Sequence, residues 1–180
     1  MKVVAIVGMT GSGKSEVAAI FRAIGFTPVR FGDITDEEVL KLGLALNEEN
    51  ERPVRERLRQ EYGMAAYAIL SRPRIDAALK SSHVVVDGLY SWEEYTYLKD
   101  HYGDDFIVIA VWASPQTRYR RLGGRKVRPL TPEAAAGRDR AEIEKLNKGG
   151  PIVMADYTIL NETSMANLTR QIERIVVGLK

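Results

Sequence analysis

The segment Gly8-Met9-Thr10-Gly11-Ser12-Gly13-Lys14-Ser15 constrains this chain more than any other feature. It satisfies the pattern G-x-x-x-x-G-K-[S/T] in full, which on the order of one random chain in 200 of similar length would do by chance. Its surroundings narrow the reading further. Val3 to Val7 is an unbroken apolar run, as in a strand covered on both faces. Val17, Ile20, Phe21 and Ile24 then fall at i, i+3, i+4 and i+7, one face of a helix closed by Gly25. A strand, a glycine-rich turn and a helix in that order aim successive backbone N–H groups, and the positive end of the helix, at phosphate oxygens. Gly8, Gly11, Ser12 and Gly13 are therefore expected to cradle a nucleotide's phosphates. Lys14 is expected to reach the β- and γ-phosphates, and the Ser15 hydroxyl to ligate Mg²⁺, so that the cofactors are ATP and Mg²⁺.

The rest of the chain repeats the same alternation. Val29 to Phe31, Val84 to Val86, Phe106 to Trp112 and Tyr157 to Leu160 read as four more short strands. Between them lie stretches of helical period. One opens at Thr35-Asp36-Glu37-Glu38, which has capping-box spacing. A second has Pro53 in its first turn and ends at Gly63, and a third runs from Met64 to about Lys80 with a break or kink at Pro73. Others carry Trp92, Tyr95 and Leu98, then Pro115 to Leu122, Glu133 to Leu146, and Leu168 to Val176. Five strand–helix alternations imply an α/β three-layer sandwich built on a five-stranded parallel sheet. No internal repeat, low-complexity tract or linker interrupts it, and residues 1–180 read as one P-loop domain.

Composition closes off several other classes. Cysteine is absent, which removes disulfide scaffolds, thiolate metal sites and cysteine nucleophiles. The net charge of +2 is too small to demand a nucleic acid or a membrane. No run approaches the roughly 18–20 apolar residues of a membrane span, and no signal peptide is legible, so a cytoplasmic location is expected. Oligomeric state is left open. His83 and His101 share no ligand spacing and read as structural.

Charge is unevenly spread. Residues 118–128 hold Arg118, Arg120, Arg121, Arg125, Lys126 and Arg128 with no acid, while residues 33–61 carry nine acids and five bases. Mobile arginines stabilise the charge of a transferring phosphoryl group while a closing loop excludes water, so the basic run with Gly123-Gly124 as hinges reads as a catalytic lid. Its competitors are a solvated face and an RNA-binding patch, the latter short of aromatic residues for stacking. Val84-Val85-Val86-Asp87 places a carboxylate at the carboxyl end of a buried strand, fit to hold Mg²⁺ in the Walker B manner or simply to cap a turn before Gly88. Asp33, after the second strand, lies on the same sheet edge. It could take a proton from an acceptor hydroxyl, orient Mg²⁺ or its waters, or cap the next helix, where Thr35 competes.

These residues resemble the P-loop small-molecule kinases, specifically dephospho-CoA kinase and the nucleoside monophosphate (adenylate) kinases, over nearly the whole chain. Gly8 to Ala18 followed by Phe21, Gly25 and Asp33 looks like the opening of dephospho-CoA kinase, where the aspartate after the second strand acts as base on a ribose hydroxyl. Ser114-Pro115 and Thr117 with Arg121 and Arg125 resemble that enzyme's entry into its lid, and Arg138 a later lid arginine. Ala155-Asp156-Tyr157 leading to Asn161 resembles the last strand and the adenine-contacting loop. Gly32-Asp33 and Val85-Val86-Asp87-Gly88 are most similar to an uncharacterised, mostly archaeal set of adenylate-kinase-related proteins. The resemblance implies strand order 2-3-1-4-5, a helical acceptor-binding region about 36–80, a lid about 118–140, and transfer of the ATP γ-phosphate to a small nucleotide-like acceptor. Catalytic roles fall by resemblance to Asp33, Arg121, Arg125 and Arg138. The alternative is an acceptor-independent NTPase acting as a switch or an RNA-associated factor.

Two departures bear on the acceptor. Nucleoside monophosphate kinases read G-D-x-x-R and D-G-x-P-R, and both arginines clamp the acceptor phosphate. Here Asp36 and, in the second segment, Tyr90 or Ser91 stand instead. An aspartate repels the dianion that a guanidinium would hold with two bonds. Arg52, Arg55, Arg72 or Arg74 are the candidates to replace the clamp, and the missing pair leans the reading toward a hydroxyl acceptor, dephospho-CoA first and a nucleoside monophosphate second.

Overall fold

The computed structural model describes residues 1–126 and 129–179. Val127, Arg128 and Lys180 lie outside the described residues, and with Arg128 goes the last cation of the basic run. Five strands, β1 (Val3–Val7), β2 (Thr27–Arg30), β3 (Val84–Asp87), β4 (Phe106–Trp112) and β5 (Tyr157–Leu160), form one sheet in the order β2-β3-β1-β4-β5 with every neighbouring pair parallel. That is the expected sheet and the expected order. The register sets Ile6 and Arg30 on either side of Asp87. Whatever leaves the carboxyl ends of β1, β2 and β3 therefore meets at one edge, where open α/β sheets bind ligands.

Helices cover both faces: α1 (Lys14–Ala23), α2 (Gly32–Lys41), α3 (Glu48–Tyr62), α4 (Ala66–Ala78), α5 (Trp92–Tyr102), α6 (Pro115–Gly123), α7 (Pro132–Leu146), α8 (Gly149–Val153) and α9 (Met165–Gly178). Alternate side chains of β1 divide the core. Val4 and Ile6 pack with Val17 and Phe21 of α1 and with Leu168 and Ile172 of α9. Val3, Ala5 and Val7 pack toward Tyr67 and Ile75 of α4, Leu98 of α5, and Val39 and Leu58 of α2 and α3. All five β1 side chains are fully buried, which explains the absence of polar alternation. Burying each valine or isoleucine contributes roughly 1.5–3 kcal/mol before the entropy of ordering is counted.

Several boundaries differ from expectation, and each has a local cause. β2 begins at Thr27 and ends at Arg30, because Phe31 already caps α2. Thr35 is consequently not a cap: it lies inside α2, buried, with its hydroxyl 2.6 Å from the Tyr67 hydroxyl. α3 starts at Glu48 behind Asn47, whose side chain accepts from the Asn50 N–H at 2.9 Å. Pro53 therefore stands beyond the first turn, where its missing N–H leaves the Glu49 carbonyl without its helical donor. α4 continues through Pro73. α5 begins with a capping box the sequence reading passed over: the Ser91 hydroxyl accepts from Glu94 N–H at 3.1 Å, and Glu94 Oε2 accepts from Ser91 N–H at 3.2 Å. No helix among the described residues is long and apolar enough to cross a membrane.

Candidate active site

The phosphate loop is closed by its own backbone and braced by β5's exit. Gly8, Gly11 and Gly13 all have positive φ, at 146°, 85° and 98°. Ser12 N–H donates to the Met9 carbonyl at 3.1 Å, and α1 begins at Lys14. Gly13 admits no side chain, since a Cβ there would overlap the Asn161 amide nitrogen. That amide donates to the Ser12 carbonyl at 2.8 Å, so Asn161 is placed as a brace of the loop. Lys14 Nζ folds back on the Gly8 and Met9 carbonyls, at 2.9 and 3.1 Å. Burial, followed by repulsion from Lys148, lowers its pKa to about 7. The Ser12 hydroxyl is buried without a hydrogen-bond partner among the described residues. A buried donor with nothing to bind is what a loop built around phosphate oxygens leaves when it stands alone.

Beside the loop a cleft of about 270 Å³ is lined by Ser15, Ala18, Arg22, Arg30, Asp33 and Asp87, among others. It brings together three of the predicted residues from three separate elements: Ser15 on α1, Asp33 in the first turn of α2, and Asp87 at the end of β3. Burial raises the Asp87 pKa, against the pull of Lys14 and Arg30. Among the described residues no three acidic or histidine side chains converge on a metal position. Ser15 and Asp87 alone fit Mg²⁺, which is commonly held by one or two protein oxygens together with substrate phosphates and water.

Arg30 was missed in the sequence and pairs with the residue that stands where an acceptor arginine was found wanting. Its Nη1 donates to Asp33 Oδ1 and to Asp36 Oδ2, both at 2.7 Å. Gly32 makes room, for a Cβ there would lie 2.8 Å from Arg30 Nη2. The aspartate at position 36 thus answers an arginine that enters from the strand, six residues earlier. The four arginines expected as substitutes each lie beside a carboxylate: Arg52 by Glu56, Arg55 by Glu48 and Glu51, Arg72 by Asp76 at 3.8 Å, and Arg74 by Glu37.

The basic run divides into buried and free members. Arg118 is 4% exposed, its guanidinium clasped by both oxygens of Asp139 at 2.7 and 2.6 Å and donating to the Thr10 carbonyl at 3.1 Å. It therefore joins α6, α7 and the phosphate loop, and is withdrawn from any surface patch. Arg121 Nη2 donates to the Asn161 carbonyl at 2.8 Å, while its Nη1 is buried without a partner among the described residues. Arg125 is exposed beyond the end of α6. Arg138 on α7 lies 3.5 Å from Glu142 and close enough to repel Lys14.

Glu142, Lys148 and Glu94 were not singled out in the sequence. Glu142 accepts from Thr10 N–H at 3.2 Å, from the Thr10 hydroxyl, and from Lys148 Nζ at 2.9 Å. Burial would raise its pKa, but Lys148 and Thr10 outweigh burial and bring it to about 2. On a helix whose acids and bases alternate every few residues, nothing in the charge pattern separates this carboxylate from the solvated ones. Glu94 is fully buried, with Oε2 on the N–H groups of Tyr90 and Ser91 and Oε1 without a partner among the described residues. Burial raises its pKa from 4.5 to about 8, against those two N–H groups and the charge of Arg59.

That shift carries a stability prediction. Between pH 4.5 and about 8 the unfolded chain has released the Glu94 proton while the folded chain still holds it, so stability falls as pH rises through this window and levels off above it. Glu94→Gln is expected to remove this slope, of ~5 kcal/mol in total. Unfolding midpoints of both proteins at pH 5 and pH 8 check it, and parallel pH profiles would refute it.

A family model described as an AAA domain matches residues 4–155. A UPF0200 protein of Thermococcus kodakarensis is 39% identical over 178 residues, covering 97% of this chain and 96% of that one. Another, of Methanoculleus marisnigri, is 36% identical over 181 residues, covering 99% and 97%. Among solved structures, TT1252 from Thermus thermophilus matches with a TM-score of 0.66 at 21% identity, over 99% of this chain and 98% of that chain. A shikimate kinase from Bacteroides thetaiotaomicron matches with a TM-score of 0.62 at 14% identity, over 99% and 98%. A gluconokinase from Sinorhizobium meliloti matches at 0.60 and 16%, over 99% and 95%. At these identities the likeness is one of fold, and the fold is that of the P-loop kinases.

Proposed function

From a chain that belongs to the UPF0200 family and, over residues 4–155, to the AAA domain family, we propose an ATP-dependent phosphotransferase that moves the γ-phosphate to a small, hydroxyl-bearing, nucleotide-like acceptor. The observation that carries the reading is the shared cleft of Ser15, Asp33 and Asp87 beside the phosphate loop. A protein that only hydrolysed or sensed a nucleotide has no need of the second carboxylate, Asp33, across from the phosphates. A kinase needs one to receive or orient the acceptor's hydroxyl. The fold neighbours named for shikimate and gluconate support a small-molecule acceptor.

In this reading the loop N–H groups and Lys14 hold the ATP phosphates. Ser15 and Asp87 hold Mg²⁺, which when bound neutralises charge on the β- and γ-phosphoryl oxygens. Asp33 orients the acceptor hydroxyl and takes its proton. The buried Nη1 of Arg121, which has no partner among the described residues, and the exposed Arg125 and Arg138 meet the phosphates as α6 and α7 close over them. Asn161 keeps the loop in shape from the nucleotide side.

The clamp lost at position 36 shapes the acceptor. Arg30 is balanced by two carboxylates, so it offers no net positive charge to a phosphate dianion. This favours a hydroxyl acceptor, with dephospho-CoA first and a nucleoside monophosphate second. The test is ADP release from Mg-ATP with and without dephospho-CoA, the ribo- and deoxynucleoside monophosphates, and nucleosides. One acceptor is expected to accelerate release at least about 100-fold over the acceptor-free rate, as a positioned base and acceptor together provide. A slow rate indifferent to every acceptor would favour the switch NTPase instead.

A further inference from the structure

α7 ends at Asn147, whose φ of 49° turns the chain back on itself. Lys148 N–H then donates to the Glu142 carbonyl at 3.3 Å, and the lysine side chain runs inward rather than to solvent. It is 2% exposed, unusual for a lysine. Its ammonium touches Glu142 Oε2 at 2.9 Å, and the same oxygen accepts from Thr10 N–H at 3.2 Å. One anionic oxygen is thus held between an N–H of the phosphate loop and an ammonium group. On its other side Lys148 Nζ lies 5.6 Å from the centre of the Tyr90 ring. The Tyr90 hydroxyl in turn folds against Gly88, next to Asp87. Lys148 therefore stands between the phosphate loop and the carboxylate edge of β3, where donor and acceptor would meet.

We propose that Glu142 Oε2, between the Thr10 N–H and the Lys148 ammonium, marks the place of a terminal phosphoryl oxygen of ATP, and that Lys148 is a further catalytic residue that passes from Glu142 to that phosphoryl group. The inference rests on the phosphotransfer reading above. Glu142 is the positioning residue: it keeps a buried cation in place and the loop amide satisfied until the phosphate arrives. The two halves of the pair then act in opposite directions. Lys148 attracts the terminal phosphoryl group, and Glu142 competes with it. A pair serving only to brace α7 against the loop would lose the same thing whichever half was removed.

The probes are Mg-ADP and the imido analogue of ATP, AMP-PNP, whose affinities are measured by titration calorimetry for each protein. The native chain is expected to bind AMP-PNP at least about 10-fold more tightly than ADP, as an added charge-assisted contact gives. Lys148→Met is expected to cut that preference by about 5-fold or more while leaving ADP affinity within about 3-fold, the remainder resting on Lys14, with Lys148→Arg restoring part of it and Glu142→Gln increasing it. Because Lys148→Met strands a buried carboxylate and endangers folding, the double variant Glu142→Gln/Lys148→Met, which removes both charges, is read for the same loss of preference. An unchanged preference in Lys148→Met or in the double variant overturns the proposal, as does an equal loss in Lys148→Met and Glu142→Gln. Equal binding of ADP and AMP-PNP by the native chain overturns it while leaving the phosphotransfer reading intact. Binding of neither nucleotide overturns both.

Discussion

Lys14→Met is expected to lower phosphoryl transfer by about 10²–10³-fold, the loss typical when one preorganised charge donor is removed from a transferring group. The structure explains why no neighbour compensates. Lys14 Nζ is held by the Gly8 and Met9 carbonyls at the base of the loop, so the amine already lies inside the loop, and phosphate oxygens entering there favour its protonated form against the burial that lowers its pKa to about 7. Lys148, the other buried ammonium near the loop, approaches from Glu142 on the far side of Thr10, so even when it engages the terminal phosphoryl group it does not take the place of Lys14. The measurement is the single-turnover rate with saturating Mg-ATP and the best acceptor. A rate within a few-fold of the native one would remove Lys14 from the chemistry and, with it, the phosphate-loop reading of the site.

Asp33→Asn is expected to slow the acceptor-dependent step by about 10²–10⁴-fold while leaving ATP affinity nearly unchanged, since it removes a general base and not a phosphate ligand. The ion pair with Arg30 is no obstacle to this role. Both side chains are about half exposed, at 52% and 46%, and an exposed pair of this kind is worth roughly 0–1 kcal/mol, far less than the binding energy of an acceptor that displaces it. Arg30 also has Asp36 to fall back on at 2.7 Å. Rapid-quench measurement of the first turnover separates the chemical step from product release. An unchanged first turnover in Asp33→Asn, with a nucleoside monophosphate proving a fast acceptor, would sink the hydroxyl-acceptor reading and return the chain to orthodox nucleotide kinase chemistry.

Much of the site was legible because its parts are local. Gly8 to Ser15 is one continuous segment whose loop conformation follows from its own glycines and from the strand and helix that flank it. Asp87 and Asp33 were legible for a related reason. Each follows an apolar run, and parallel strands with right-handed crossovers bring their carboxyl ends to one edge whatever the details of packing. The boundaries that were misplaced, at Thr35 and Pro53, are positions where a side chain's local preference gave way to burial or to a competing cap. Thr35 has the chemistry of an N-cap, yet Tyr67, 32 residues away in the chain, takes its hydroxyl.

The sequence alone determined the sheet, its strand order by way of resemblance, the phosphate loop, and which residues follow which strand. Only the tertiary structure decided which charges are free to act. Arg118 and Arg121 look alike in a run of six cations, but one is clasped by Asp139 and buried, while the other keeps inside the fold a donor with no partner among the described residues. Arg30 is tied to the aspartate six residues later, and Glu142 reaches a loop 132 positions away. The physical reason is that hydrophobic period and backbone geometry are short-range properties carried by neighbouring residues. The pairing of buried charges is set by which side chains, on elements distant in sequence, the packed core brings within about 3 Å of one another.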